Sequence, residues 1–157
     1  MVKRVALLMA TGAGLGYSPV ASGTVGTFLA FPLVWIMAGW TGSPTGLVLQ
    51  VALCVAAVVV AVPVCDVAER HFGTKDDGRI VADEYLTFPI CLIGLPITWQ
   101  TLLLAFLTCR AADIVKPPPA HRLQAIRGGA GVVIDDVLAA LYSLAVNHAI
   151  VLVAGAR

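Results

Sequence analysis

Between Gly46 and Cys65 the chain reads GLVLQVALCVAAVVVAVPVC and carries no charged side chain. A helix needs about 20 predominantly apolar residues to cross the roughly 30 Å hydrocarbon core of a bilayer. The many valines do not favour a β-strand here, because an open strand edge leaves backbone polar groups unpaired in lipid. This run therefore predicts a membrane-spanning helix.

The composition of the whole chain agrees with a protein that is partly solvated by lipid. Of its 157 residues, 59% are apolar and 12% are charged, whereas typical soluble chains carry about 25% charged residues. Mean hydropathy is +0.93, and no Asp, Glu, Lys or Arg occurs from Val5 to Cys65. The net charge is +1 and no basic run contains interleaved aromatic residues, which argues against a nucleic-acid partner.

A second apolar segment, residues 27–40, precedes the first and is joined to it by a turn at residues 41–44. The two segments predict a membrane-spanning helical hairpin, with a kink at Pro32. Lys and Arg concentrate on the cytoplasmic side of membrane proteins. The basic residues outside the apolar segments therefore place both ends of the hairpin in the cytoplasm, together with a polar loop over residues 66–83.

Residues 85–109 are uncharged but are interrupted by Gly94-Leu95-Pro96, which predicts a turn between two short helices. A single crossing would place the basic residues of the 110–127 segment outside the cell, so we expect a broken, re-entrant helix pair. A last apolar helix is predicted over residues 132–154. The sequence thus predicts a single all-α domain over residues 1–157, a compact helical bundle of an integral membrane protein.

Acidic residues stand beside or inside these apolar runs, as Asp83-Glu84, Asp113 and Asp135-Asp136. A charged carboxylate within a spanning helix costs on the order of 2.5–3.5 kcal/mol, so such groups need a cationic partner. Mg²⁺ takes oxygen ligands, commonly one or two carboxylates with waters and substrate phosphate oxygens. The acids are therefore candidate Mg²⁺ ligands, and ion pairs that pin helices together are an equally good interpretation.

Arg110, Asp113 and Lys116 recur at intervals of three residues and share roughly one helix face. A cation–anion–cation row suits the binding of a phosphate monoester. A solvated helix end with ordinary ion pairs gives the same pattern. His121, close to this row in the sequence, is a further candidate for phosphate binding.

Ser22 and Thr24 lie in a segment rich in glycine, serine and threonine that precedes an apolar helix. Backbone N–H groups at such a helix start can bind an anion, so both residues are candidates for phosphate binding. Small residues also allow helices to pack closely, which is the alternative. The segment lacks the Gly-Lys-Ser/Thr ending of a nucleotide-binding P-loop.

Three separated motifs occur in a fixed order along the chain. They read GYSP and SGTVGT within residues 16–27, DGRIVADE at residues 77–84, and RAADIVKP at residues 110–117, which continues to GGAGVVIDD at residues 128–136. In order and spacing these motifs resemble those of the phosphatidylglycerophosphatase A family, and the resemblance covers most of the chain.

The resemblance implies an all-helical, Mg²⁺-dependent phosphatase that hydrolyses phosphatidylglycerophosphate to phosphatidylglycerol and phosphate, a step of phospholipid biosynthesis. It also implies the bacterial cytoplasmic membrane as location, with the active site on the cytoplasmic side and lipid as substrate and surroundings. The resulting hypothesis assigns metal binding to Asp83, Glu84, Asp113, Asp135 and Asp136, catalysis to Asp83, Glu84, Asp113 and Asp136, and phosphate binding to Arg110, Lys116, Ser22 and Thr24.

Two other functions remain as alternatives. A phosphotransferase that acts on CDP-activated lipids also uses intramembrane aspartates and metal, but residues 77–79 lack the continuation of its usual signature. A small cation-transport or scaffold protein would need the same acids to line a route through the membrane. The predicted topology instead places them near one face.

Overall fold

The computed structural model describes residues 1–123 and 125–155, without the side chains of His121 and Arg122. The described part is all-helical and contains no β-strand, which confirms the predicted fold class. Short 3₁₀ segments lie at Gly12–Tyr17, Phe28–Ala30 and Phe88–Leu92. The α-helices, in chain order, are α1 (Val2–Ala10), α2 (Ser22–Thr27), α3 (Phe31–Ala38), α4 (Pro44–Phe72), α5 (Ala82–Thr87), α6 (Trp99–Val115), α7 (Ala120–Leu123) and α8 (Gly129–Gly155).

The spanning helix predicted over residues 46–65 is the central part of α4. Ser43 caps the start of this helix, because its Oγ accepts a hydrogen bond from the Gly46 N–H at 2.9 Å. Pro44 follows in the first turn, where its missing N–H leaves no hydrogen bond unmade. The turn that precedes α4 is therefore fixed by residues local to it.

The other end of α4 lies further along the chain than predicted. The helix continues past Cys65 and ends at Phe72, where Gly73 follows with φ +73° in the left-handed region. The prediction that residues 66–72 belong to a loop is therefore wrong. Asp66 and Arg70, one turn apart, form an ion pair of 2.8 Å that stabilises this polar extension of the helix.

The first arm of the predicted hairpin is divided into shorter pieces. α2, the 3₁₀ turn and α3 follow one another over Ser22–Ala38, so the helical stretch begins and ends earlier than the predicted 27–40. Pro32 lies in the first turn of α3 and not at a kink inside a longer helix. Within the described residues two helices, α4 and α8, are long and apolar enough to cross a membrane, and this arm is shorter.

The predicted break at Gly94-Leu95-Pro96 is present between α5 and α6. After α5 the chain passes through the 3₁₀ segment Phe88–Leu92 and turns at Gly94, whose φ is +75°. α6 then begins with a capping box, in which Thr98 and Thr101 bind each other's backbone N–H groups. The helix pair in this region is therefore broken, as the sequence predicts.

Side chains from neighbouring helices bind the backbone of this break. The Asn147 side-chain amide donates to the Cys91 backbone carbonyl at 3.1 Å, and the Gly94 N–H donates to Gln50 Oε1 at 2.9 Å. Unpaired backbone groups are costly away from water, so these contacts allow an irregular segment to lie inside the bundle. We refer to the side chains that make this network as the mid-bundle polar cluster: Gln50, Thr108, Ser143, Asn147 and His148.

The last helix, α8, packs against both α4 and α6. It begins at Gly129, three residues before the predicted start. A Cβ at Gly129 would lie 2.0 Å from the Val62 carbonyl oxygen, so the close crossing of α8 over α4 requires glycine here. This crossing brings the start of α8 beside the polar end of α4.

Candidate active site

A polar pocket of about 350 Å³ lies at one end of the bundle, where several helices begin or end. The starts of α2, α5 and α8, the end of α6 and the loop before α5 form its wall. Every residue that the sequence hypothesis assigned to metal binding, catalysis or phosphate binding lines it, except Arg110 and Thr24. The lining consists of Ser22, Asp76, Asp77, Gly78, Ile80, Asp83, Glu84, Asp113, Ile114, Lys116, Asp135 and Asp136.

Asp83 and Glu84 occupy the first turn of α5, where the helix dipole favours negative charge. The Val81 N–H donates to the Ala10 carbonyl at 2.8 Å, which ties the start of α5 to the end of α1. Asp83 is 4% exposed, and its Oδ1 accepts a hydrogen bond from the Glu84 N–H at 3.0 Å. Burial and then the neighbouring Glu84 charge raise the pKa of Asp83 well above its ordinary value.

Arg110 lies between Glu84 and Asp113. Its Nη1 is 3.4 Å from Glu84 Oε1 and 3.5 Å from Asp113 Oδ2, longer than the roughly 2.7–2.9 Å of a strong charge-assisted hydrogen bond. Burial raises the pKa of Glu84, and the Arg110 charge opposes that rise. Glu84 Oε2 and Arg110 Nε are both buried without a hydrogen-bond partner among the described residues. This ion pair therefore leaves a buried acceptor and a buried donor unused.

The contact between α2 and Glu84 depends on Gly23. A Cβ at this position would lie 1.8 Å from Glu84 Oε1 and 2.3 Å from Oε2, which is too close for non-bonded atoms. The carboxylate thus reaches its place beside Arg110 because α2 presents bare backbone to it.

Lys116 ends α6 and turns its side chain toward α8. Its backbone is left-handed, with φ +46°, and its Nζ donates a hydrogen bond to Asp135 Oδ2. Asp136 is 9% exposed and lines the pocket beside Asp135. Within the described part of the chain, Asp83 and Asp136 have no basic side chain within ion-pair distance. Some of the acids are thus paired between helices, as the ion-pair interpretation predicts, and the metal-ligand interpretation stays a prediction.

Comparison with known proteins identifies the family. Residues 8–151 match the family described as Phosphatidylglycerophosphatase A. The chain is 32% identical over 143 residues to the Phosphatidylglycerophosphatase A of Escherichia coli (strain K12), covering 90% of this chain and 80% of that protein. It is 35% identical over 145 residues to the protein of that name from Haemophilus influenzae, covering 91% of this chain and 86% of that protein. The chain belongs to the phosphatidylglycerophosphatase A family.

Membership of the phosphatidylglycerophosphatase A family makes the chain an enzyme of the phosphatase class. A third relative, from Bacteroides thetaiotaomicron, is 35% identical over 141 residues, covers 87% of both chains and is named a putative phosphatidylinositol-3-phosphatase. No solved structure gives a significant match. The family match favours a phosphatase over the phosphotransferase and transport alternatives, and the acids gather in one pocket and not along a route through the bundle.

The pocket of this family member fits a hard divalent cation in donor type and in charge. Among the described side chains, seven carboxylates line the pocket, and one of them, Asp77, is paired with Arg79. The other six outnumber the two bases Arg110 and Lys116, which leaves a surplus of negative charge: Asp76, Asp83, Glu84, Asp113, Asp135 and Asp136. Among the side chains that the structure describes, neither Cys nor His lines it, and Glu84 Oε2 is an unused buried acceptor. No three acidic, His or Cys side chains in the described part already converge as a ligand set. Mg²⁺ needs few protein ligands when waters and substrate oxygens complete its shell.

The two predicted phosphate ligands of the glycine-rich segment are placed differently. Ser22 lines the pocket, and its Oγ donates to the Gly78 carbonyl at 2.7 Å, so in this state it links α2 to the loop before α5. Thr24 is half-buried on α2 and is not part of the pocket wall. Its role in phosphate binding remains a prediction, and the side chain of His121 lies outside the described residues.

Sequence reasoning overlooked the acids of the loop before α5. Asp76 and Asp77 both line the pocket, and the carboxylate of Asp77 binds Arg79 through two contacts of 2.7 Å. Arg79 in turn stacks on Phe72, with 4.0 Å between its guanidinium carbon and the ring centroid. The sequence feature that could have identified them as site residues is the pair of adjacent acids in a polar segment.

The glycine-rich segment supports this loop mainly through close packing. A Cβ at Gly16 would lie 2.1 Å from the Arg79 carbonyl oxygen, and one at Gly26 would lie 2.6 Å from the Val81 Cβ. The small residues of this segment therefore allow the loop before α5 to lie directly on it, as the packing alternative proposed.

Proposed function

We propose that the protein hydrolyses the phosphate monoester of phosphatidylglycerophosphate to phosphatidylglycerol and phosphate, with Mg²⁺ bound in the polar pocket. The observation that carries this proposal is the pocket itself, in which carboxylates and two bases are gathered at the end of a bundle that contains two apolar helices of membrane-spanning length. Family membership supplies the reaction class. A headgroup phosphate at the membrane surface would reach such a site while its lipid chains remain in the bilayer.

The proposed reaction is an attack of water on phosphorus. The water oxygen forms a bond to phosphorus, the ester bond to the glycerol oxygen breaks, and that oxygen takes a proton as it leaves. Lys116 and Arg110 would hold phosphate oxygens, since each has donors at or behind the pocket wall. Bound Mg²⁺ would polarise the phosphate and neutralise charge that develops on its oxygens.

The buried acids divide between two tasks in this proposal. Asp83 and Asp136, which have no basic partner in the described part of the chain, are the best placed to bind the cation. Glu84 and Asp113, which both pair with Arg110, would orient the attacking water or the Arg110 guanidinium. Asp135 would contribute to metal binding while it positions Lys116.

Phosphatidylglycerophosphate is the proposed substrate because two relatives, 32% and 35% identical, are named Phosphatidylglycerophosphatase A. The relative named as a putative phosphatidylinositol-3-phosphatase shows that a second lipid phosphate monoester must be tested. All such lipids present the same terminal phosphate chemistry to the pocket, so the headgroup beyond the phosphate decides between them.

The test is phosphate release by the purified protein in detergent micelles, with phosphatidylglycerophosphate, phosphatidylinositol 3-phosphate and phosphatidic acid compared at equal mole fraction. We expect the highest kcat/KM with phosphatidylglycerophosphate, loss of activity with a chelator and recovery with added Mg²⁺. Full activity after exhaustive chelation would disprove the metal proposal. Preference for another lipid would replace the proposed substrate.

The proposed location is the bacterial cytoplasmic membrane, with the pocket at the cytoplasmic face. The four cysteines are buried, so single exposed cysteines can be labelled over a low background. Lys75→Cys, near the pocket, should react with a membrane-impermeant maleimide in inverted vesicles. Thr41→Cys, in the turn before α4, should react in intact spheroplasts. Reaction of both from the same side would contradict this topology.

A further inference from the structure

An apolar groove of about 300 Å³ lies on the surface between α3 and α6 and has no role in the proposed chemistry. Aromatic side chains dominate its wall, and Phe28 and Phe31 pack edge to face with 5.4 Å between their ring centroids. Leu103 and Trp99 of α6 form the opposite wall and are largely exposed. In the bundle as it stands, these side chains therefore present a preformed apolar slot to their surroundings.

On three separate elements the groove begins one helical turn from the place where Gly23, Glu84 and Arg110 meet at the edge of the pocket. Thr27 of the groove follows Gly23, and its Oγ1 donates to the Gly23 carbonyl at 2.9 Å. Phe88 of the groove follows Glu84 by four residues. Residues four apart on a helical stretch lie on one face, about 5–6 Å from each other.

On the third element, α6, the groove residue comes before the site residue in the sequence and not after it. Phe106 lines the groove and precedes Arg110 by one turn. Because Gly23, Glu84 and Arg110 meet at one point, the near end of the groove lies about one helical turn from the ion pair at the pocket wall. From that point it extends along α6 to Trp99, about 10 Å beyond Phe106 at 1.5 Å per residue.

We propose that this groove binds one acyl chain of the lipid whose phosphate occupies the pocket. The inference rests on the proposed function, because it takes a lipid phosphate monoester as the substrate. A chain held in the groove would fix the glycerol backbone near Glu84 and Arg110 and so place the phosphate in the pocket. Binding energy from this non-reacting part of the substrate would then favour lipid phosphates over water-soluble phosphate esters.

The first test compares dioleoyl and dihexanoyl phosphatidylglycerophosphate, which share one headgroup, in the same detergent micelles. The variant Leu103→Trp fills the groove from an exposed position. Leu107→Trp is the matched control, since Leu107 is similarly exposed on the same helix and does not line the groove (57% against 50% exposed). Phosphate release gives kcat and KM for each pair.

We expect Leu103→Trp to lower kcat/KM for the dioleoyl substrate about tenfold, the loss of roughly two buried methylenes. The dihexanoyl value and both values of Leu107→Trp should stay at the wild-type level. An equal loss on both substrates would show that the groove holds a structural lipid, and no loss on either would show that it is empty during turnover. Both results would overturn the proposal.

A second test uses the wild-type protein and needs no substitution. Phosphatidylglycerophosphate with a photoactivatable diazirine in one acyl chain should label peptides that contain groove residues of α3 and α6. Excess dioleoyl phosphatidylglycerophosphate should prevent labelling, and excess dioleoyl phosphatidylcholine should not. Labelling spread over α4 and α8, or equal competition by both lipids, would overturn the proposal. If the wild-type protein releases no phosphate, the proposed function fails, and the labelling still decides what the groove binds.

Discussion

The mid-bundle polar cluster and the polar pocket are both buried groups of polar side chains, but they differ in charge and in completeness. In the cluster, Asn147 is fully buried, donates to the Cys91 carbonyl and to Ser143 Oγ, and accepts from Thr108 at 2.8 Å. The cluster is built largely from uncharged groups that bind one another or the broken backbone. At the pocket, Glu84 Oε2 and Arg110 Nε have no hydrogen-bond partner among the described residues, and carboxylates outnumber bases.

This difference indicates what each region is for. A buried polar network whose groups are all bonded stabilises one arrangement of the chain. A buried group of like charges destabilises the fold unless something else binds there. Burial of polar side chains is thus common to a structural and a functional region, and unsatisfied bonding capacity separates them.

The largest expected effect concerns the unpaired acids of the pocket. Asp136→Asn keeps the shape of the side chain but removes a charge, so phosphate release should fall about 10³-fold, equal to about 4 kcal/mol of transition-state stabilisation. Thermal stability in detergent should stay the same or rise, because repulsion between clustered carboxylates decreases. Asp113→Asn should lose activity to a similar extent, although Asp113 is not unpaired, since its Oδ2 lies 3.5 Å from Arg110 Nη1.

The distinction between the structural cluster and the functional pocket would fail if these variants lost activity and stability together. That result would mean that the acids pin helices, as the mid-bundle polar cluster does. Near-normal turnover in both variants would remove Asp113 and Asp136 from the site.

A smaller effect is expected from displacing one pocket carboxylate without changing its charge. In Gly23→Ala the new Cβ would overlap Glu84 Oε1, so the carboxylate must move away from Arg110. A displacement of about 1 Å at an active site can lower turnover by about 10²-fold, so we expect a loss of that order in kcat. The folded protein should remain stable, because alanine favours a helix.

Gly39→Ala is the matched control for this substitution. Gly39 ends α3 with a helical φ of −66°, and a Cβ there would meet only the Ile36 carbonyl oxygen at an ordinary 3.5 Å. Its activity should equal that of the unchanged protein. An active Gly23→Ala variant would show that the position of Glu84 is unimportant for catalysis.

The smallest effect on activity is expected in the mid-bundle polar cluster. Asn147→Leu removes the donor to the Cys91 carbonyl, and each buried group left unpaired costs about 1–3 kcal/mol. Unfolding in detergent should therefore occur at lower denaturant concentration, while kcat per folded molecule stays close to the original. A large loss of kcat with unchanged stability would place the cluster in the catalytic machinery.

Much of the architecture could be predicted because it depends on local properties. The uncharged run within α4 can be recognised as a helix by its length and composition. Gly94-Leu95-Pro96 interrupts a helix whatever the tertiary structure around it. Helix ends were predicted less well. α4 extends beyond its apolar run to Phe72, and Asp66 and Arg70 form an ion pair on this polar helix surface. The same charged residues are equally compatible with a solvent-exposed loop, so the sequence did not reveal where the helix ends.

The sequence by itself determined an all-helical protein with apolar helices of spanning length, and it contained the acids and bases of the site in recognisable motifs. Tertiary structure decided which of these charges meet. Lys116 binds Asp135, and Glu84 lies against Gly23 and Arg110, across long separations in the chain. Helix period and hydropathy are set by neighbours in sequence, whereas these contacts depend on how α2, α5, α6 and α8 pack at one end of the bundle.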